Sequence, residues 1–347
     1  MLKWSIRIVV GFLVLLLTAT MGLVIAYSIW LPDQEHALQT GSRVISTSRG
    51  EVEYAIAGKG IPILRIHGSP GGYDQSIAGA RARPEDIVGF SVIAPSRPGY
   101  LRTPLSSGRT PAEQADLYAA LLDELKIDRV IVSGVSGGGP SALQFAVRHP
   151  NRTIGLILIA PALQSWRSEY TGPLPPKTRT GMWVQDFGMW SSMTLMTTPV
   201  ASVAMPRLMP GFDVHDPRQR ALMREIGAGF VTSHLRAEGR VNDIAQYRDL
   251  GIEALPLERT PVPTLILHGT ADDNAPYSGS VSVAQRLPRA RLVTFQGGDH
   301  YIIITRAAEI LERTTEFMQE LSRDPEPEHG ARAEQAVAAD RPKPGSS

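Results

Sequence analysis

The chain has 347 residues, 35 Lys and Arg against 34 Asp and Glu, and no cysteine. A net charge of +1 offers no basic field to a nucleic-acid backbone, and the missing cysteines exclude disulfides, thiolate nucleophiles and cysteine-ligated metals. At 43% hydrophobic and 20% charged residues the composition is that of a globular protein, and the eight histidines show no pair at metal spacing, so neither metal nor other cofactor is expected.

Ile8 to Leu31 is an uncharged, mostly apolar run of 24 residues, long enough to cross a bilayer as a helix with some tilt. Lys3 and Arg7 precede it and Asp33 and Glu35 follow, an asymmetry that keeps the N-terminus in the cytoplasm and places the rest of the chain beyond the membrane. Trp4, Tyr27 and Trp30 lie near the two ends, where amphipathic rings favour the interface. A cleaved signal peptide is the competing reading. Its apolar region is usually shorter, about 7 to 15 residues, and Ala26-Tyr27-Ser28 is a poor cleavage site. Residues 1–31 are therefore expected to form a cytoplasmic N-terminus and a single-pass anchor, and residues 32–42 a polar linker.

Arg43–Ser48 and Glu51–Ala57 alternate apolar and polar residues around Arg49-Gly50, which predicts a hairpin. Ile61–Ile66 reads as a buried strand ending in His67-Gly68-Ser69-Pro70-Gly71-Gly72, and Phe90–Ala94 as another before Ser96-Arg97-Pro98-Gly99-Tyr100. Helical spacing over Pro111–Leu125 puts Leu117, Leu121, Leu122 and Leu125 on one side. Val130–Ser133 is a strand leading into Gly134-Val135-Ser136-Gly137-Gly138, with a helix from Pro140 to His149 and a further strand over Ile154–Ile159. After a long interruption come Thr264–Leu267 and Arg291–Phe295. Strands alternating with helices predict an α/β fold with a largely parallel sheet covered on both faces. Its core falls into residues 43–163 and 256–322. The interruption, residues 164–255, lacks apolar strand runs and holds Trp166, Trp183, Trp190 and most of the methionines, Met205 among them. It reads as a helical cap over the sheet, most of whose Met and Trp residues serve packing and some of which line an adaptable pocket. Residues 323–347, rich in Pro, Glu, Ala and Arg without periodicity, read as a disordered tail.

Gly134-Val135-Ser136-Gly137-Gly138 carries the chemistry. At a strand-to-helix junction a Gly-x-Ser-x-Gly sequence forms a nucleophile elbow. Glycines at 134 and 137 let the backbone turn sharply against its neighbours, holding the Ser136 hydroxyl up to attack a carbonyl while the Gly137 N–H meets the developing oxyanion. A dinucleotide fingerprint would require an acidic residue about 20 positions on, where Ile157-Leu158-Ile159-Ala160 stands, and a P-loop would require a lysine. A serine nucleophile needs a base and a group to orient it. His300 follows the last strand through Gln296-Gly297-Gly298-Asp299, and Asp272 lies in the turn after Thr264–Leu267, so both open at the same sheet edge as Ser136. Asp273 and Asp299 compete with Asp272, which is favoured for its place nearest the strand end. His268 and His149 are expected to be structural, and the turn begun by His67 can aim the Ser69 N–H at the same oxyanion as Gly137.

These motifs together resemble the α/β-hydrolase superfamily, in its cap-bearing branch, over roughly Arg43 to Leu321. The His67–Gly72 turn resembles that branch's oxyanion turn. Ser96–Tyr100 resembles its Asp-Arg-Pro-Gly segment, and the His268–Asp272 and Gly298–His300 loops its acid and histidine loops. The resemblance implies an eight-stranded, mostly parallel sheet with a helical cap after the sixth strand, and a triad of Ser136, Asp272 and His300. Two residues depart from the pattern: Ser96 stands where aspartate is usual, and Asp299 where a small residue is usual. Serine at 136 disfavours epoxide hydrolase and dehalogenase chemistry, which uses aspartate there. The reading that follows is a membrane-anchored serine hydrolase of small-molecule carboxylic esters, acyl or lipid-like esters included, with no nucleic-acid partner. Two alternatives stay open: an aminopeptidase similar to proline iminopeptidases, with Glu169, Asp186, Glu225 or Glu238 binding the free amine, and a catalytically inactive binding protein.

Overall fold

Eight strands form one sheet in the order β1-β2-β4-β3-β5-β6-β7-β8, where β1 is Arg43–Thr47, β2 Gly50–Gly58, β3 Ile61–Ile66, β4 Phe90–Pro95, β5 Val130–Val135, β6 Thr153–Ile159, β7 Thr264–Gly269 and β8 Ala290–Phe295. This computed structural model describes residues 2–165, 176–196, 209 and 211–323. The β1–β2 hairpin and the β2–β4 pair are antiparallel and every other pairing is parallel. The central strands read as unbroken apolar runs because helices bury them from both sides. Leu64, Ile66, Val130, Val132, Leu156, Leu158 and Ile266 face one cluster, and Ile63, Ile131, Ile157, Ile159, Leu265 and Leu267 the other.

The first layer holds α3 (Pro111–Glu124), α4 (Gly139–Arg148) and α8 (Tyr277–Arg286). A capping box between Thr110 and Glu113, with Pro111 at the first position, starts α3 where the sequence pattern places it. Its leucines Leu117, Leu121 and Leu122 are buried as expected. The other layer holds α2 (Tyr73–Ala82) and α10 (Ala307–Arg323), the latter preceded by the short α9 (Ile302–Thr305). Between β6 and β7 the insertion contributes α5 (Arg179–Met196), α6 (Pro217–Ala228) and α7 (Ala237–Gln246), helical as expected. Trp166, Glu169, Met205 and the 324–347 part of the expected tail lie outside the described residues.

The N-terminal helix α1 spans Leu2–Thr40 and is the one described helix long and apolar enough to cross a membrane. Residues 32–42, expected as a polar linker, are helical as far as Thr40. Pro32 costs one backbone hydrogen bond, yet the segment beyond it is held by tertiary contacts: Tyr73 donates to the Leu38 carbonyl at 2.9 Å, and Leu38 is buried. Tyr27 and Trp30, expected at a lipid interface, pack instead against α5. The Tyr27 ring is fully buried, 5.4 Å from Trp183, 5.7 Å from Phe187 and 5.4 Å from Trp190. Trp30 lies 6.0 Å from Trp190. Both tryptophans of the described insertion, Trp183 and Trp190, thus meet rings of α1.

Candidate active site

Parallel pairing brings the ends of β3, β5, β7 and β8 to one edge, where the loops after them meet. Ser136 directly follows β5 at φ +49°, a left-handed conformation that a non-glycine residue adopts only when its surroundings enforce it. The turn is also tight at the next residue: a Cβ at Gly137 would lie 2.0 Å from the Tyr247 hydroxyl. The three predicted side chains converge. His300 Nε2 lies 2.9 Å from Ser136 Oγ and accepts its hydrogen, while His300 Nδ1 donates to Asp272 Oδ2 at 2.7 Å. Asp272, rather than Asp273 or Asp299, meets the imidazole. Asp273 is exposed, and Asp299 turns back to accept from the Tyr301 N–H at 2.9 Å.

Asp272 is saturated with donors. Its Oδ1 accepts from the Asn274 and Ala275 N–H groups at 2.9 and 2.8 Å, the local turn that favours aspartate here. Its Oδ2 also receives His268 Nε2–H at 3.0 Å. Burial opposes the charge, but the hydrogen bonds from His268 and His300, the nearby His300 ring and the Ala275 N–H outweigh it and hold the carboxyl well below the usual range. His268 is thus more than a strand closure. Fully buried, with Ser280 donating to its Nδ1 at 2.6 Å, it fixes the carboxylate that fixes His300. Sequence reasoning missed this role; its only signal is the four-residue spacing to Asp272. A Cβ at Gly269 would sit 2.2 Å from the Gly298 carbonyl, so glycine there lets the acid and histidine loops touch. His149 is structural as expected, bonded to Asp116 at 3.0 Å.

The loop after β3 comes up beside the elbow: Gly68 lies against the Ser136 side chain, and Gly137 faces Ser69. Gly68 N–H is occupied by Gln75 Oε1 at 3.1 Å, whereas the Ser69 and Gly137 amides donate to no acceptor among the described residues. Ser69 precedes a cis peptide to Pro70. A buried polar network braces the loop. His67 Nδ1 donates to the Gly68 carbonyl at 2.7 Å, and its Nε2 accepts the Arg97 N–H at 2.8 Å, so the ring is neutral. Arg97 pairs through both terminal nitrogens with Asp243 of α7, and Tyr100 donates to the same carboxylate. Ser69 Oγ lies 2.9 Å from the Tyr100 hydroxyl, and the Tyr247 hydroxyl bonds both Ser69 and Arg97. Arg236 donates to the Gly71 carbonyl and to Asp74.

Burial, with Arg97 and Arg236 nearby, pushes His67 well below its ordinary value of 6.5, against the bond to Gly68. Its folded-state value is lowered, so its contribution to stability is complete above pH 6.5 and is lost as the pH falls toward the depressed value. The denaturant midpoint of the detergent-solubilised protein is expected to drop between pH 7 and pH 5. In His67→Gln, where nothing titrates at this position, the drop should shrink measurably; an unchanged drop would assign it elsewhere.

The Ser96 departure is resolved by a neighbour. Ser96 Oγ donates to Glu53 at 2.8 Å and accepts the Tyr73 N–H at 3.0 Å. Fully buried Glu53 on β2 supplies the carboxylate, held by Arg102 and Ser42 as well.

Comparison with known proteins agrees with this fold. The family model for the alpha/beta hydrolase fold matches residues 61–307. The chain is an α/β-hydrolase. Among solved structures, the hydrolase resembles an alpha/beta hydrolase fold protein from Nakamurella multipartita at TM-score 0.67 and 32% identity, over 79% of this chain and 98% of that one. A 2-hydroxymuconate semialdehyde hydrolase of Pseudomonas putida is 28% identical over 76% of this chain and 89% of its own. An uncharacterized hydrolase, YcgS of Bacillus subtilis (strain 168), is 39% identical over 122 residues, and that match spans only 42% of its length.

Above Ser136 the hydrolase encloses a cavity of about 250 Å³. The insertion contributes Leu222, Ile226, Phe230, Arg240, Ile244 and Tyr247 to it, and the core contributes Arg65, Ser69, Asn274, His300, Tyr301 and Ile304. None of the described methionines or tryptophans lines it, contrary to the expectation for some of them. Met223, for one, packs with Phe212, Val214 and Ile304.

Proposed function

We propose that this α/β-hydrolase cleaves carboxylic esters through an acyl-enzyme. The observation that carries the reading is the continuous relay from Ser136 Oγ through His300 to Asp272. His300 takes the Ser136 proton as the hydroxyl attacks the ester carbonyl, and the Ser69 and Gly137 amides receive the oxyanion. His300 then returns the proton to the leaving alcohol. Water repeats the sequence: His300 takes its proton, the resulting hydroxide attacks the acyl carbonyl, and the proton returns to Ser136 as the acid departs. Asp272 keeps the imidazole in the Nδ1–H tautomer and balances its transient charge.

The lining argues for esters over N-terminal amines. Among the described lining residues there is no aspartate or glutamate, and two arginines are present. Of the carboxylates considered for an amine site, Asp186 is spent on the Ser233 N–H and hydroxyl and Glu238 is exposed. Glu169 lies outside the described residues, and the side chain of Glu225 is not described.

The N-terminal helix serves, in this proposal, as an uncleaved anchor that leaves the catalytic domain outside the cytoplasm. Cleavage near Ala26 would remove or free Tyr27, whose ring fills a buried aromatic site on α5. A membrane-impermeant fluorophosphonate applied to intact cells should label the full-length protein, and Ser136→Ala should abolish the label. The purified protein should turn over p-nitrophenyl esters and leave prolyl amides intact. No labelling in detergent extracts either, with no ester turnover, would leave the inactive binding protein as the better reading.

A further inference from the structure

Arg65 is a cation in an apolar place. It lies on β3 two residues before His67, and strand alternation turns it to the same face as Ile63, toward α2 and α10. There it lines two adjoining chambers at once. One is the cavity above Ser136. The other, about 150 Å³, runs beneath it between the sheet and α10, walled by Ile157, Ile159, Ile310 and Met318. Arg65, Gly79, Leu222 and Ile303 belong to both walls, so the guanidinium stands at their junction.

No described residue answers its charge. Among the described residues the Arg65 side chain makes no hydrogen bond and no ion pair, and burial depresses its pKa with no neighbouring carboxylate to offset the effect. Two fully buried arginines are paired: Arg97 with Asp243, and Arg236 with Asp74. The carboxylate in the inner chamber, Asp86, is held by Arg83 and Arg218. An unpaired guanidinium amid isoleucines costs stability, where a leucine or methionine would pack without penalty. Its side chain is only half-buried although the surroundings are apolar, since it opens onto the chambers.

We propose that Arg65 binds a carboxylate carried by the substrate, making the hydrolase selective for esters whose acyl part bears a second, anionic end. The inference rests on the ester-hydrolase reading above. With the scissile carbonyl at Ser136, the acyl chain runs down the upper cavity to the junction of the two chambers, where its free carboxylate pairs with the guanidinium. Arg65 is a specificity-determining residue and takes no part in the proton relay.

The test compares kcat/KM for monomethyl esters of linear C4 to C8 dicarboxylic acids with that for the corresponding uncharged dimethyl esters, using the full-length protein in detergent. The best half-ester is expected to exceed its dimethyl partner by about ten- to a hundredfold, the range of a charge-assisted hydrogen bond. In Arg65→Met that ratio should fall to one or below, with Arg65→Lys between. The melting temperature of Arg65→Met should hold or rise, whereas a purely structural arginine would lower it on removal. Turnover of the dimethyl esters with no preference for any half-ester overturns the proposal while leaving the ester-hydrolase reading intact. So does a preference that survives Arg65→Met, or stabilisation by chloride or phosphate that depends on Arg65 without half-ester selectivity. Inertness toward every ester, with no fluorophosphonate labelling, overturns the ester-hydrolase reading and this one together.

Discussion

Ser136→Ala and His300→Ala are each expected to lower ester turnover by about a millionfold, and Asp272→Asn by about ten thousandfold. The first two remove the nucleophile or its base outright. The third has a cause visible in the hydrogen bonds. All four groups that contact Asp272 are donors: His300 Nδ1–H, His268 Nε2–H and the Asn274 and Ala275 amides. An asparagine there brings one acceptor oxygen and an NH2 group that must face a donor. The cheapest escape is for His300 to change tautomer, which puts a hydrogen on the nitrogen that should receive the Ser136 proton. Initial rates on p-nitrophenyl butyrate, with thermal unfolding as a control for folding, measure both effects. A mere tenfold loss in any of the three well-folded variants would mean the relay does not drive catalysis.

Asp243→Ala is expected to cost about 3–5 kcal/mol of stability, the penalty for stranding a buried charge. The Arg97 and Asp243 side chains are 2% and 4% exposed, and Tyr100 would lose its acceptor at the same time. Chemical denaturation of the detergent-solubilised full-length protein reads the loss. The paired change Arg97→Met with Asp243→Leu should recover most of it, because a well-packed apolar pair avoids the desolvation cost. Turnover should stay low even so. Arg97 N–H, Tyr100 and Tyr247 together brace His67 and Ser69, and this pair ties the insertion to that loop alongside the Tyr247–Ser69 and Arg236–Gly71 bonds. Stability that is not lost in Asp243→Ala would show that water reaches Arg97 freely.

The relation between the two arginines explains why one is structural and the other is proposed to be functional. Arg97 meets its carboxylate from a different element, α7, and the pair closes the insertion onto the core. Arg65 meets none among the described residues, and in the proposal a ligand brings the missing charge to its place between the two chambers.

Local rules made much of this protein legible in its amino-acid order. Apolar runs at 61–66 (interrupted by Arg65), 130–132 and 154–159 are strands because parallel strands are buried on both faces, and Pro111 with its capping box starts a helix where the pattern places it. Ser136, Asp272 and His300 could be named because each follows a strand whose end faces the same edge. The remainder depends on contacts between residues far apart along the chain. Helix α1 runs through Pro32 to Thr40 because α2 and α5 pack on it, Tyr27 is taken from the expected lipid interface by three aromatic rings, and Glu53 supplies the carboxylate that Ser96 lacks. Tyr247 and Arg65 carry no motif, and the motif that contains His268 does not say what its ring touches. Hydrogen bonds, close approaches and the walls of two chambers surround them, and those arise only when the chain has folded.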